Sequence, residues 1–272
     1  MTTLEAVNKT PPGKSPLESR PVHRAIPLRR IVTTELRKMF DTRAGFWLIA
    51  SIGIMAALAT SAVVLFAPNQ ELNYSSFAAA IGIPTTIVLP LIAILSVTDE
   101  WSHRSGLTTF TLVPARGRVL MGRAIACLTT AAVSVPIAFG VGALGNLLGT
   151  AIAGVDPVWD LTVPNLLTIG LANVLALLFG FMLGVLIRKS PGAMVAYFVY
   201  TFVLPPLTML LAGSRDWFRK LQPWVDYGYA QSQLYDGALT AQQWTHLAVT
   251  ALIWLVVPLT VGLVLVSKTD VK

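Results

Sequence analysis

The stretch Leu166–Ile187 reads LLTIGLANVLALLFGFMLGVLI, without one Asp, Glu, Lys or Arg. A helix needs about 20 apolar residues to cross a hydrocarbon core about 30 Å thick, because each residue rises about 1.5 Å. This stretch is long enough. Others like it stand in the 272-residue chain at Phe46–Phe66, Phe77–Val97, Ala124–Leu147, Ala193–Leu211 and Leu247–Val266, and none carries a charge. The predicted fold is all-α, an integral membrane bundle of six transmembrane helices. Core helices of a soluble protein alternate apolar and polar faces, and these stretches do not. Charged residues make up 12% of the chain, against about 25% in a soluble domain.

The net charge of +7 has a topological cause. Lys and Arg gather before the first stretch (Lys9 to Arg43), between the second and third (Arg104, Arg116, Arg118, Arg123), between the fourth and fifth (Arg188, Lys189) and after the last (Lys268, Lys272). Only Arg215, Arg219 and Lys220 fall in the other set of loops. Basic loops stay cytoplasmic during insertion, so both termini are predicted inside, in a multi-pass protein of the cell membrane. The same distribution removes the reason to invoke nucleic acid. The first apolar stretch begins too late for a cleavable signal peptide. Cys127 is the single cysteine. It lies in the third stretch and reads as a small packing residue.

Residues 1–26 are rich in Pro, Ser, Thr and Lys and lack apolar periodicity, which predicts a disordered cytoplasmic tail. Residues 27–45 differ. Leu28, Ile31, Val32, Leu36, Met39 and Phe40 share one helical face, and Arg29, Arg30, Glu35 and Lys38 occupy the remainder. The pattern predicts an amphipathic interfacial helix at the cytoplasmic membrane surface, either a plain anchor or also a docking surface. Residues 46–272 form the six-span domain. Within it Pro84, Pro90, Pro136, Pro205, Pro206 and Pro258 predict kinks. The pairs Gly145/Gly149 and Gly180/Gly184 have the spacing of close helix packing, a weak sign of dimerisation. The external segment 212–246 holds Trp217, Trp224 and Tyr227 among other aromatics. It predicts an interfacial or re-entrant helix, its rings serving as a lipid belt or as an external gate.

Catalytic machinery is not evident. His23, His103 and His246 lie outside the spans, HExxH is missing, and no nucleophile stands by a base. No catalytic, cofactor or metal site is predicted. The apolar spans lack the ionisable groups that ion-driven carriers use. There is no phosphate-binding loop, so transport on ATP requires another polypeptide and a cytoplasmic element to meet it. The loop 98–123, TDEWSHRSGLTTFTLVPARGRVLMGR, is the largest internal one. It predicts a short amphipathic helix followed by a proline-marked turn. Positive-inside anchoring explains its arginines but not Asp99, Glu100 and Trp101 before them.

Here the chain resembles the membrane subunits of ABC-2 type ABC transporters, from about Ile26 to its C-terminus. One match is Glu35-Leu36-Arg37-Lys38, Arg43 and Phe46-Trp47, similar to the family's interfacial helix before span one. The other is Glu100, Gly106-Leu107, Leu112-Val113-Pro114, Arg116-Gly117-Arg118 and Arg123, which looks like its acidic–Gly–Leu–Pro–basic signature. Two departures stand: Glu100 and Gly106 are further apart than is usual, and Arg123 replaces the common Lys. The resemblance implies a homodimer or heterodimer of such chains and a cytoplasmic ABC ATPase that carries ATP and Mg. Glu100, Gly106, Pro114, Arg118 and Arg123 would serve ATPase coupling, and Glu35, Arg37, Lys38 and Arg43 the interfacial helix. The implied function is export of a hydrophobic or amphipathic cargo: drug, antibiotic, peptide or lipid. The alternatives are a non-transporting scaffold or sensor, and an ion-driven secondary transporter.

Overall fold

The computed structural model describes residues 27–41, 43–102 and 116–268. The tail 1–26, Gly106 and Pro114 lie outside the described residues, as does the helix-and-turn expected around them. The described residues are helical throughout, apart from short connections. The helices are α1 (Leu28–Asp41), α2 (Arg43–Phe66), α3 (Tyr74–Ser102), α4 (Arg116–Ala153) and α5 (Val163–Ile187). Then come α6 (Ser190–Ser214), α7 (Asp216–Val225), α8 (Tyr227–Ser232) and α9 (Ala241–Val266). Among the described residues no strand forms; one isolated bridge joins Asn73 to Val158.

Five of these helices, α3, α4, α5, α6 and α9, are long and apolar enough to cross a membrane. In α2 the qualifying apolar segment is the shorter Ala50–Phe66. The helices outgrow the predicted stretches. The stretch Ala124–Leu147 becomes a helix of 38 residues, about 57 Å long, which outruns a core of about 30 Å. The predicted loop 98–123 is helical at both flanks, its first residues closing α3 and its last opening α4. Hydropathy marks where lipid begins; the backbone hydrogen-bond ladder runs on past it.

α3 lies at the centre, packed mainly on α5, α4 and α2. Gly180 is the reason α3 and α5 meet so closely. A Cβ there would stand 2.6 Å from the Pro90 carbonyl oxygen and 2.8 Å from its Cα. One turn on, a Cβ at Gly184 would touch Val97 at 3.1 Å. Gly145 and Gly149 receive the ring of Phe77 in the same way. Both glycine pairs therefore pack within the chain.

The prolines are accommodated rather than left broken. Pro90 has no N–H to give the Thr86 carbonyl, and the Tyr197 hydroxyl of α6 donates to that oxygen at 2.8 Å. Pro205 and Pro258 each follow a π turn, at Val199–Val203 and Leu252–Val256. Such a turn shifts the ladder by one residue.

Candidate functional site

Two places gather side chains that apolar packing does not require. The first is where α1 docks on α4 and α2. Ile31 and Glu35 are buried and Leu36 is partly so, whereas Arg29, Arg30, Arg37 and Lys38 are exposed. Glu35 thus belongs to the buried face of α1, not to the polar remainder where sequence periodicity put it. Its Oε2 accepts from Arg123 Nε at 2.9 Å, and its Oε1 from Lys38 Nζ at 2.9 Å. Arg123 is 2% exposed and donates again to the Val97 carbonyl at 3.3 Å. Beside the pair, a Cβ at Gly122 would lie 2.6 Å from Ile31 Cγ2. Glycine lets α1 approach, and the ion pair fixes it there. Losing one partner of such a pair costs about 3–5 kcal/mol, because a charge is left buried alone.

The structure brings together Glu35, assigned to the interfacial helix, and Arg123, assigned to coupling. Arg118 is half-buried on the first turn of α4, and Glu100 lies in the last turn of α3 on the same side of the bundle. Arg37 and Lys38 face outward from α1, and Arg43 opens α2.

The second place is at the opposite end. α7 follows α6 after Arg215, and α8 follows α7 at Asp226, whose carboxylate accepts from the Tyr229 N–H at 3.1 Å and caps α8. Together they form a hairpin that dips into the bundle. Trp254 Nε1 donates to the Val225 carbonyl at 2.7 Å, about 20 Å along α9 from Ala241. The Tyr227 ring stacks on Phe179, centroids 5.7 Å apart, about 24 Å along α5 from Val163. Gln231 Nε2 donates to the Ala172 carbonyl at 2.8 Å. The hairpin tip is therefore level with the middle of its neighbouring helices. Trp217 is exposed and Trp224 partly so, but Tyr227 is only 1% exposed. Tyr227 belongs to the interior, not to the surface aromatics with which sequence grouped it.

Sequence reasoning also missed Asp226. It found no ionisable group within the apolar spans, and the hairpin supplies one from outside them. On insertion scales a charge at the centre of a bilayer costs about 2.5–3.5 kcal/mol. The available signal was Asp226 three residues after Pro223, a helix-capping residue type following a helix-disrupting one.

Fold and sites together define a multi-pass helical membrane protein. No protein-family model matches the chain, and no curated protein matches it. Among the described residues no group of three or more His, Cys, Asp or Glu could hold a metal ion.

Proposed function

We propose that this chain is the membrane-spanning subunit of an ABC-2 type exporter, driven by a separate ATPase. α2 is the first of six spans in this reading, both termini are cytoplasmic, and the protein sits in the cell membrane. The observation that carries the reading is the docking of α1 on α4 by the buried Glu35–Arg123 pair. It ties the interfacial helix to the helix that opens after the loop bearing Gly106 and Pro114. A push delivered to that loop by an ATPase would reach α1, α3 and α4 together, since Arg123 holds Glu35 and the Val97 carbonyl at once. The core is a dimer of such chains, and exposed apolar residues such as Phe202, Leu207 and Leu210 on α6 suit lipid or a second copy. The cargo is hydrophobic or amphipathic and leaves the cell.

An ion-driven carrier is the second reading, and Asp226 at mid-depth is the observation that favours it. The test is a mild-detergent pull-down of the tagged chain from its own membranes, with mass spectrometry and an ATPase assay. A stoichiometric partner with a phosphate-binding loop and ATP hydrolysis is the expected result. Repeated isolation without an ATPase, from membranes where comparable complexes survive, would overturn the proposal.

A further inference from the structure

The exporter reading leaves the chemistry of the cargo open, and the hairpin tip narrows it. Asp226 is partly exposed. Its oxygens accept from the Tyr229 N–H and from Gln222 Nε2, each at 3.1 Å, and among the described residues no Lys, Arg or His pairs with it. Both donors are neutral, so neither brings a positive charge to offset that of a carboxylate here. Asn could serve as the same helix cap without bringing charge to this depth.

The surroundings of Asp226 point the same way. Phe179, Tyr200 and Tyr227 stack as three rings, with centroids 4.1 Å apart for Phe179–Tyr200 and 6.4 Å for Tyr200–Tyr227. The hydroxyls of Tyr200 and Tyr227 are buried and have no hydrogen-bond partner among the described residues. Gly228 stands between Asp226 and Tyr200, since a Cβ on it would be 3.4 Å from Asp226 Oδ1 and 3.4 Å from the Tyr200 hydroxyl. The carboxylate and the π faces attract positive charge, and the phenol oxygens can turn their lone pairs toward it. A pocket lies beside the tip. It measures about 300 Å³ and opens between α8 and the start of α9, walled by Gln233, Gln243, Thr240 and His246. Tyr229 also lines it, the residue whose N–H holds Asp226.

We propose that the hairpin tip, with Asp226 as its charged group, holds the cationic centre of an amphipathic organic cation, and that such cations are the cargo of this protein. The proposal rests on the exporter reading for the word cargo, but the binding site itself does not need an ATPase.

The test uses the purified full chain in nanodiscs. Tryptophan fluorescence, to which Trp224 and Trp254 near the tip contribute, is titrated with tetraphenylphosphonium and with neutral triphenylphosphine oxide. Saturable quenching by the cation, weakened at least 10-fold in Asp226→Asn and unchanged in Asp216→Asn, is expected. Equal affinity in Asp226→Asn and wild type, or equal binding of the neutral compound, would overturn the proposal. Should Asp226→Asn not fold, wild type decides the matter through labelling by dicyclohexylcarbodiimide. Protection of Asp226 by tetraphenylphosphonium supports the site, and labelling indifferent to it refutes the site, as does a carboxyl that exchanges protons only. Cation binding by a chain that never co-purifies with an ATPase from its own membranes would end the exporter reading and leave the site standing. ATP-driven transport with no cation site would do the reverse.

Discussion

The two ends of this bundle are held by different chemistry. At the α1 end, one buried ion pair and one glycine clamp a helix onto its neighbours, with Glu35 shared between Arg123 and Lys38. At the hairpin end, single hydrogen bonds without an ion pair hold the elements together: Tyr197 on a proline-freed carbonyl, Gln231 on the Ala172 carbonyl, Trp254 on the Val225 carbonyl. The clamp is concentrated and breaks as a unit. The hairpin is distributed over single hydrogen bonds, each worth about 1 kcal/mol, so it can loosen in steps. Under the proposed function, the first property suits a part that transmits force and the second a part that admits a molecule.

Substitutions can break or sharpen this contrast. The largest effect belongs to Glu35→Ala, which leaves Arg123 buried without its partner and costs about 3–5 kcal/mol. Thermal unfolding in detergent should show the loss, with proteolysis near α1 accelerated. Restoration by the double swap Glu35→Arg with Arg123→Glu would confirm that charge, not shape, is the clamp. Next comes Gly180→Ala, whose methyl meets the backbone of Pro90. About 1–3 kcal/mol of overpacking is expected, read as a lower melting temperature, with Gly140→Ala as a silent control because nothing lies within 4 Å there. Tyr197→Phe should cost about 1–3 kcal/mol by leaving the Thr86 carbonyl unpaired, and the loss should appear as faster hydrogen exchange around Pro90. Trp217→Ala, on an exposed face, should change stability by no more than about 0.5 kcal/mol. A melting shift as large as that of Glu35→Ala would show that the hairpin end is clamped too.

The long helices were legible in the sequence because hydrocarbon tolerates few charges, and that rule acts locally. The spacing of Gly180 and Gly184 was legible too, but not their partner, since Pro90 lies far off in the chain. Glu35 was misplaced for the same reason. Periodicity saw a carboxylate among lysines and arginines, while the residue that lets it be buried is 88 positions away. Helix ends such as Arg116 and Ala153 escaped because hydropathy falls off before the hydrogen-bond ladder does. The segment 212–246 reads as an interfacial or re-entrant helix, but which of its residues turn inward is not written in its sequence. Asp226 therefore went unnoticed, and Tyr227 stood with the belt or gate aromatics. Only the packing of α7 and α8 against α5, α6 and α9 carries it inward.

The central claim is that ATP hydrolysed by a partner drives export through this chain by way of the α3–α4 connection. The direct test is transport in proteoliposomes that hold the chain with its ATPase partner, comparing wild type with Glu100→Arg. The account predicts ATP-dependent cargo movement in wild type and its loss in Glu100→Arg, with insertion intact in both. Undiminished ATP-driven transport by Glu100→Arg would contradict it.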